Sequence, residues 1–188
     1  MISFRTNIIL MVNIMFLINT FFIYSILGYL LETTCAYIFK YNFNSGILYG
    51  PLTPVYGFGV IAIIIISKYL FYNLHLPRVY ETIIVFIIIT IIISIIEWLG
   101  GITIEKLFNI TFWDYSKHKY HIGKYISLKM SLIWGISSII FIYIINPLLE
   151  NIIKKIPVSI TVIISILFII DIILTTINKL KGLWFLHI

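Results

Sequence analysis

The chain has 188 residues, of which 61% are hydrophobic and only 11% charged, and its mean hydropathy is +1.11. Soluble domains hold about 45–50% apolar and about 25% charged residues, so a soluble globular chain is excluded and an all-α, polytopic membrane helix bundle is expected. The net charge of +6 sits on scattered loop residues, the pattern of membrane topology and lipid contact; no nucleic-acid partner is expected.

A spanning helix needs about 20 mostly apolar residues. Five stretches qualify, at about 12–39, 54–72, 82–100, 128–146 and 157–178, within a single membrane domain over 1–188. The apolar run from Ile8 onward is too long for a signal-peptide core and reads as a retained span. Pro77 sits in the loop before the third span, Asn146-Pro147 ends or kinks the fourth, and Pro157 suits the first turn of the fifth. Five spans put the termini on opposite sides. Basic residues divide 5 against 8, so the positive-inside rule gives an outside N-terminus and a cytoplasmic C-terminus in the cell membrane. Arg5, beside the first span, votes the other way.

Each of three spans carries a stripe of small and polar residues. On the first it is Ser25, Gly28, Glu32, Cys35 and Ala36. On the third it is Thr90, Ser94, Glu97, Gly101 and Glu105. On the fourth it is Ser127, Ser131, Gly135 and Ser138. Small residues at this spacing let helices approach closely, so the stripes should face one another and leave the Ile-rich faces to lipid. Glu32 and Glu97 are costly in a membrane, about 2.5–3.5 kcal/mol for a central charge, and need a partner, water or a proton. Each is either a hydrogen-bonded structural group or part of a polar cavity. Asp171, with Thr175 and Asn178, reads as a mildly polar helix end. Gly28-x-x-x-Glu32 followed by Phe39 and Phe43, and Gly101-x-x-x-Glu105 followed by Phe108 and Phe112, suggest two hairpins related as a parallel repeat.

The stretch "LYGPLTPVYGFG", Leu48 to Gly59, concentrates three of the 10 glycines and two of the 5 prolines. Gly50-Pro51 reads as a turn, Thr53 as an N-cap and Pro54 as the first helical residue. Gly57 and Gly59 beside Tyr56 are not needed for helix initiation. They indicate close helix packing or a broken helix start facing a cavity, across from Glu32 in the same hairpin.

The longest polar loop, residues 109–126, alternates Trp113, Tyr115, Tyr120 and Tyr125 with lysines, as at a membrane interface. Asp114 is a candidate cap for a short helix there. His118 and His121 with Asp114 lack a clear further ligand, so no metal is expected, and nothing in the spacing specifies Ser116 with His118 as a nucleophile pair. No Walker A, GxGxxG or HExxH sequence occurs, so no cofactor is expected and any ATP use needs a separate ATPase chain.

Several segments together resemble the CmpB-like ABC-transporter permease family. They are Tyr24-Ser-x-x-Gly28-x-x-x-Glu32, Gly46-x-Leu-Tyr-Gly-Pro-x-x-Pro-Val-Tyr-Gly-Phe-Gly59, Glu97-Trp98, Gly101-x-x-x-Glu105, Trp113-Asp-Tyr-Ser116, Gly123 and Trp134-Gly135, covering roughly residues 20–150. Ser45 stands where the family usually has Arg, and His121 where it tends to have Asn. The resemblance implies a membrane subunit of a transporter. Glu32, Glu97, Glu105, Asp114, Tyr56, Gly57 and Gly59 are the candidate cavity residues, without acid–base chemistry. The partner is either an ATPase subunit or another copy of the chain, besides membrane lipid. A lipid-acting membrane enzyme built on Glu32, Glu97, Asp114, His118 and His121, and a non-catalytic membrane scaffold, are the alternatives.

Overall fold

The computed structural model describes residues 14–40 and 48–185. Arg5, Phe43, Ser45, Gly46 and the side chains of Phe39 and Lys181 lie outside the described set. In chain order the elements are α1 (Ile14–Phe39), α2 (Pro54–Leu74), α3 (Arg78–Phe108), β1 (His121–Ile122), β2 (Ile126–Ser127), α4 (Leu128–Ile140), a π-helical segment (Phe141–Ile145), α5 (Asn146–Lys154) and α6 (Val158–Phe185). Five helices are long and apolar enough to cross a membrane, α4 to α5 counting as one continuous span. The all-α bundle expected from composition is what forms.

Helix α3 shows why these sequences become spans. Val85, Ile89, Ile93 and Glu97, one turn apart, are buried. Ile83, Ile87, Ile91 and Ile95 on the opposite face are 46–55% exposed. A stripe of exposed isoleucine is ruinous in water and appropriate against lipid tails, where the backbone must also satisfy itself helically. Around the buried row, Ile63 and Ile64 of α2 and Phe141 of the π segment close one core, while Phe21 and Phe22 of α1 meet Phe168 of α6 edge-on in a second.

Helix α3 and the fourth span run well past their expected limits, as does α6, which continues to Phe185. Helix α3 runs from Arg78, with Pro77 at its N-cap, to Phe108, where Asn109 adopts φ 52° and donates its N–H to the Glu105 carbonyl. An αL residue at that point ends the helix. The fourth span does not stop at Asn146-Pro147. Proline cannot donate an N–H and its ring crowds the preceding turn, yet the helix continues to Lys154 because a π turn absorbs the misfit: the Asn146 N–H reaches back to the Phe141 carbonyl. Pro157 accepts from the Ile160 and Thr161 amides and starts α6.

The loop after α3 contains no helix. It folds into a short antiparallel hairpin, with His121 opposite Ser127 and Ile122 opposite Ile126. Gly123 turns it at φ +60°, a conformation that suits glycine. Ser127 then caps α4 by accepting the Met130 N–H at 3.2 Å.

Candidate functional site

The small-residue stripes of α3 and α4 face each other, whereas that of α1 packs against α2. Ser94 of α3 donates to Ser131 of α4 at 2.7 Å. A Cβ on Gly135 of α4 would collide with Thr90 and Phe86 of α3, and one on Gly101 would stand 2.5 Å from the Tyr125 ring. In the other hairpin, a Cβ on Gly57 would meet Ser25 Oγ at 2.5 Å and the Phe21 ring at 2.6 Å, and one on Gly28 would strike the Tyr56 ring. Gly57 is therefore a close-packing residue, and its α1 neighbours are Phe21 and Ser25. Gly59 points elsewhere: a Cβ there would lie 3.4 Å from Ile93 of α3. It does not stand across from Glu32.

Close approach brings Tyr56 over Gly28 and against Glu32. Beside it, Tyr115 drops from the loop and donates to Glu97 Oε1 at 2.7 Å. Burial and the neighbouring Glu97 charge push the Tyr115 phenol well above its usual range, which keeps it a hydrogen-bond donor. Trp134 of α4 packs edge-on to Tyr56 with ring centroids 5.6 Å apart. Its indole faces Glu97 without closing a hydrogen bond, and among the described residues Trp134 Nε1 and Glu97 Oε2, both buried, have no hydrogen-bond partner. Glu32, Tyr56, Glu97, Tyr115 and Trp134 thus form one cluster, assembled from α1, α2, α3, α4 and the loop. Among the described residues, the side chains acting on the two carboxylates are tyrosines and a tryptophan.

The remaining candidates lie outside that cluster. Glu105 pairs with Lys124 at the exposed end of α3, and holds its ammonium above the usual range. Asp114 does not cap a helix. Its Oδ1 accepts the Ser116 N–H at 2.8 Å and closes a local turn, and that bond, with the Ser116 side chain, holds its carboxyl below the usual range. His118 bonds Ser127 Oγ at 2.9 Å and His121 bonds the Gly123 carbonyl at 2.8 Å, so neither faces Asp114. Among the described residues no three His, Cys, Asp or Glu side chains gather as a metal site. Tyr120 is exposed, but Trp113, Tyr115 and Tyr125 turn into the bundle, Trp113 against Tyr125 at 5.9 Å. That part of the loop is a plug more than an interfacial belt.

The Leu48–Gly59 stretch gains a partner in α6. Asp171 accepts the Tyr49 N–H at 2.9 Å and the Gly50 N–H at 2.8 Å, Thr175 donates to Asp171 at 3.0 Å, and Asn178 donates to the Tyr49 hydroxyl at 3.1 Å. The Asp171 stripe is a clamp on the turn, not merely a polar helix end. Within the turn, the Leu52 N–H returns to the Gly50 carbonyl, next to Pro51. Pro54 opens α2 as expected, but the Thr53 side chain makes no cap; its N–H donates to the Ser25 carbonyl at 3.0 Å.

Spacing alone gives no warning that Tyr115 serves Glu97, since loop and helix meet only in the fold. Trp113-Asp-Tyr-Ser116 was the available signal. Glu150, missed in the sequence, carries one: it stands at i, i+4 from Lys154 and pairs with it at 2.6 Å.

A multi-pass bundle of five helices able to cross a membrane, with two carboxylates and a tyrosine packed between them, defines the class of an integral membrane protein. The chain belongs to the family described as "Putative ABC-transporter type IV", whose CmpB model matches residues 19–177. The match extends beyond residue 150 to take in most of α6, the helix that clamps the Gly50 turn. No curated protein and no solved structure matches the chain.

Proposed function

We propose that this chain is a permease-like subunit of a transporter, working with a separate ATPase or with another copy of itself, and that Glu32 and Glu97 line its polar site. The observation that carries the reading is Glu97: buried in a span, bonded on one oxygen by Tyr115, and without a partner for the other among the described residues. A buried polar atom without a partner costs about 1–3 kcal/mol, and intramembrane carboxylates concentrate along substrate and ion paths. Tyr115 ties the loop of residues 109–126 directly to that carboxylate, so movement of the loop would change what Glu97 touches. Gly57 and Gly28 serve by letting Tyr56 and α1 come together. In this reading the protein lies in the cell membrane with its N-terminus outside and its C-terminus cytoplasmic.

The lipid-enzyme alternative draws no support from the loop, where Asp114, His118 and His121 are each engaged in local hydrogen bonds. Purification from native membranes tests the transporter reading. An ATPase carrying a Walker A sequence, or a second copy of this chain, should co-purify. A protein that comes away alone, and whose vesicles move no solute, would refute it.

A further inference from the structure

At the end of the bundle opposite the Tyr115 loop, α1, α2, α5 and α6 enclose a cleft of about 390 Å³. Its polar wall is Lys68, Glu150, Lys154 and Asn19. Glu150 Oε1 receives Lys154 at 2.6 Å and Lys68 at 4.0 Å. Both ammonium groups also stand over the ring of Phe16, at 5.4 Å and 5.9 Å from its centroid. Two cations are therefore gathered on one aromatic ring and one carboxylate, which neutralises only one of them. Val158, the first residue of α6, lines the same wall as Ile153 and Lys154 in the last turn of α5, so opposite helix ends meet there and the net positive charge is that of the lysines. Asn19 is held from behind by Thr161, which donates to its Oδ1 at 2.6 Å. The rest of the wall, including Phe16 and Ile153, is apolar.

We infer that this cleft binds a phosphate-bearing anion, and specifically the headgroup of an anionic phospholipid. The charge arithmetic asks for an anion. The half-exposed lysines, with side chains 43% and 55% accessible, can reach it without leaving their stems. An apolar wall beside a cationic mouth, at the end of a membrane bundle, matches an amphiphile. Glu150 acts as an internal competitor: it holds the two ammonium groups in register and yields them to the headgroup. The site is separate from the Glu32–Glu97 cluster and does not depend on the transport reading.

The full chain is placed in phosphatidylcholine nanodiscs, with and without phosphatidylglycerol, and retained lipid is measured by native mass spectrometry. Phosphatidylglycerol should be retained over phosphatidylcholine. Lys68→Gln and Lys154→Gln should each reduce that preference about fivefold, as expected for one cation at a lipid surface. Glu150→Gln, which keeps the shape and removes the competitor, should increase it. Inorganic phosphate should displace the lipid only weakly; displacement as strong as by phosphatidylglycerol itself would overturn the lipid as source and leave a free-phosphate site. Equal retention of both lipids, or lysine variants that keep the full preference, would overturn the proposal. Folding of each variant is checked by its thermal transition, since all three positions lie on the rim.

Discussion

The Tyr115 hydroxyl donates to Glu97 Oε1 at 2.7 Å, so a loop residue outside the spans is the direct partner of a carboxylate inside one. That single bond links the surface of the protein to its interior. Tyr115→Phe removes the donor and leaves Glu97 without a partner on either oxygen among the described residues. The variant should lose about 1–3 kcal/mol of stability, read as a lower midpoint in detergent unfolding. Glu97→Gln keeps an acceptor for Tyr115 and should lose less.

Gly57 and Gly59 of the Leu48–Gly59 stretch should separate. Gly57→Leu forces side-chain atoms into Ser25 and Phe21, so α1 and α2 must move apart, a cost of about 1–3 kcal/mol or more for overpacking. Gly59→Ala meets only the terminal Cδ1 of Ile93, at 3.4 Å, and should be close to neutral. Thermal midpoints of the two purified variants make the comparison.

Asp171 uses both carboxylate oxygens on consecutive backbone amides, Tyr49 and Gly50. Asn offers one acceptor where Asp offers two, so Asp171→Asn strands one amide. Hydrogen bonds to a charged group contribute about 1.5–3 kcal/mol each. Amide exchange at Tyr49 and Gly50 should rise in the variant, with little change in the helix cores.

Asp114 supplies a pH test. Its carboxyl is held below the ordinary Asp value of about 3.9 by its bonds with Ser116. A depressed folded value means that the contribution is fully present above the unfolded value and is lost as pH falls through the folded one. Protection of the Ser116 amide should therefore persist at neutral pH and fade only in acid. In Asp114→Ala it should be low at every pH.

Much of this was legible in the residues themselves. The five spans follow from apolar length, and the facing of the stripes follows from Ser94, Ser131 and Gly135 at helical spacing. Pro54 and the Gly50 turn were readable because backbone geometry is local. What escaped was long-range. The clamp from Asp171 to Tyr49 and Gly50 joins residues more than a hundred positions apart, and no periodicity in either segment encodes it. Tyr115 and Trp113 look like interfacial aromatics because composition cannot tell a ring lying at the surface from one turned inward. Pro147 looks like a stop because a π turn that rescues a proline has no clear sequence signature. Of the candidate residues, Glu32, Tyr56 and Glu97 converge, while Glu105, picked out by its stripe and motif, and Asp114, picked out as a cap and by its motif, make their contacts in the loop.

The most direct test of the central reading measures solute movement by the native complex in vesicles, comparing wild type with Glu32→Gln and Glu97→Gln. Gln preserves size and hydrogen bonding and removes the charge. Both variants should assemble with the same partners and lose most of the flux. Unchanged flux in both, with assembly intact, would contradict it.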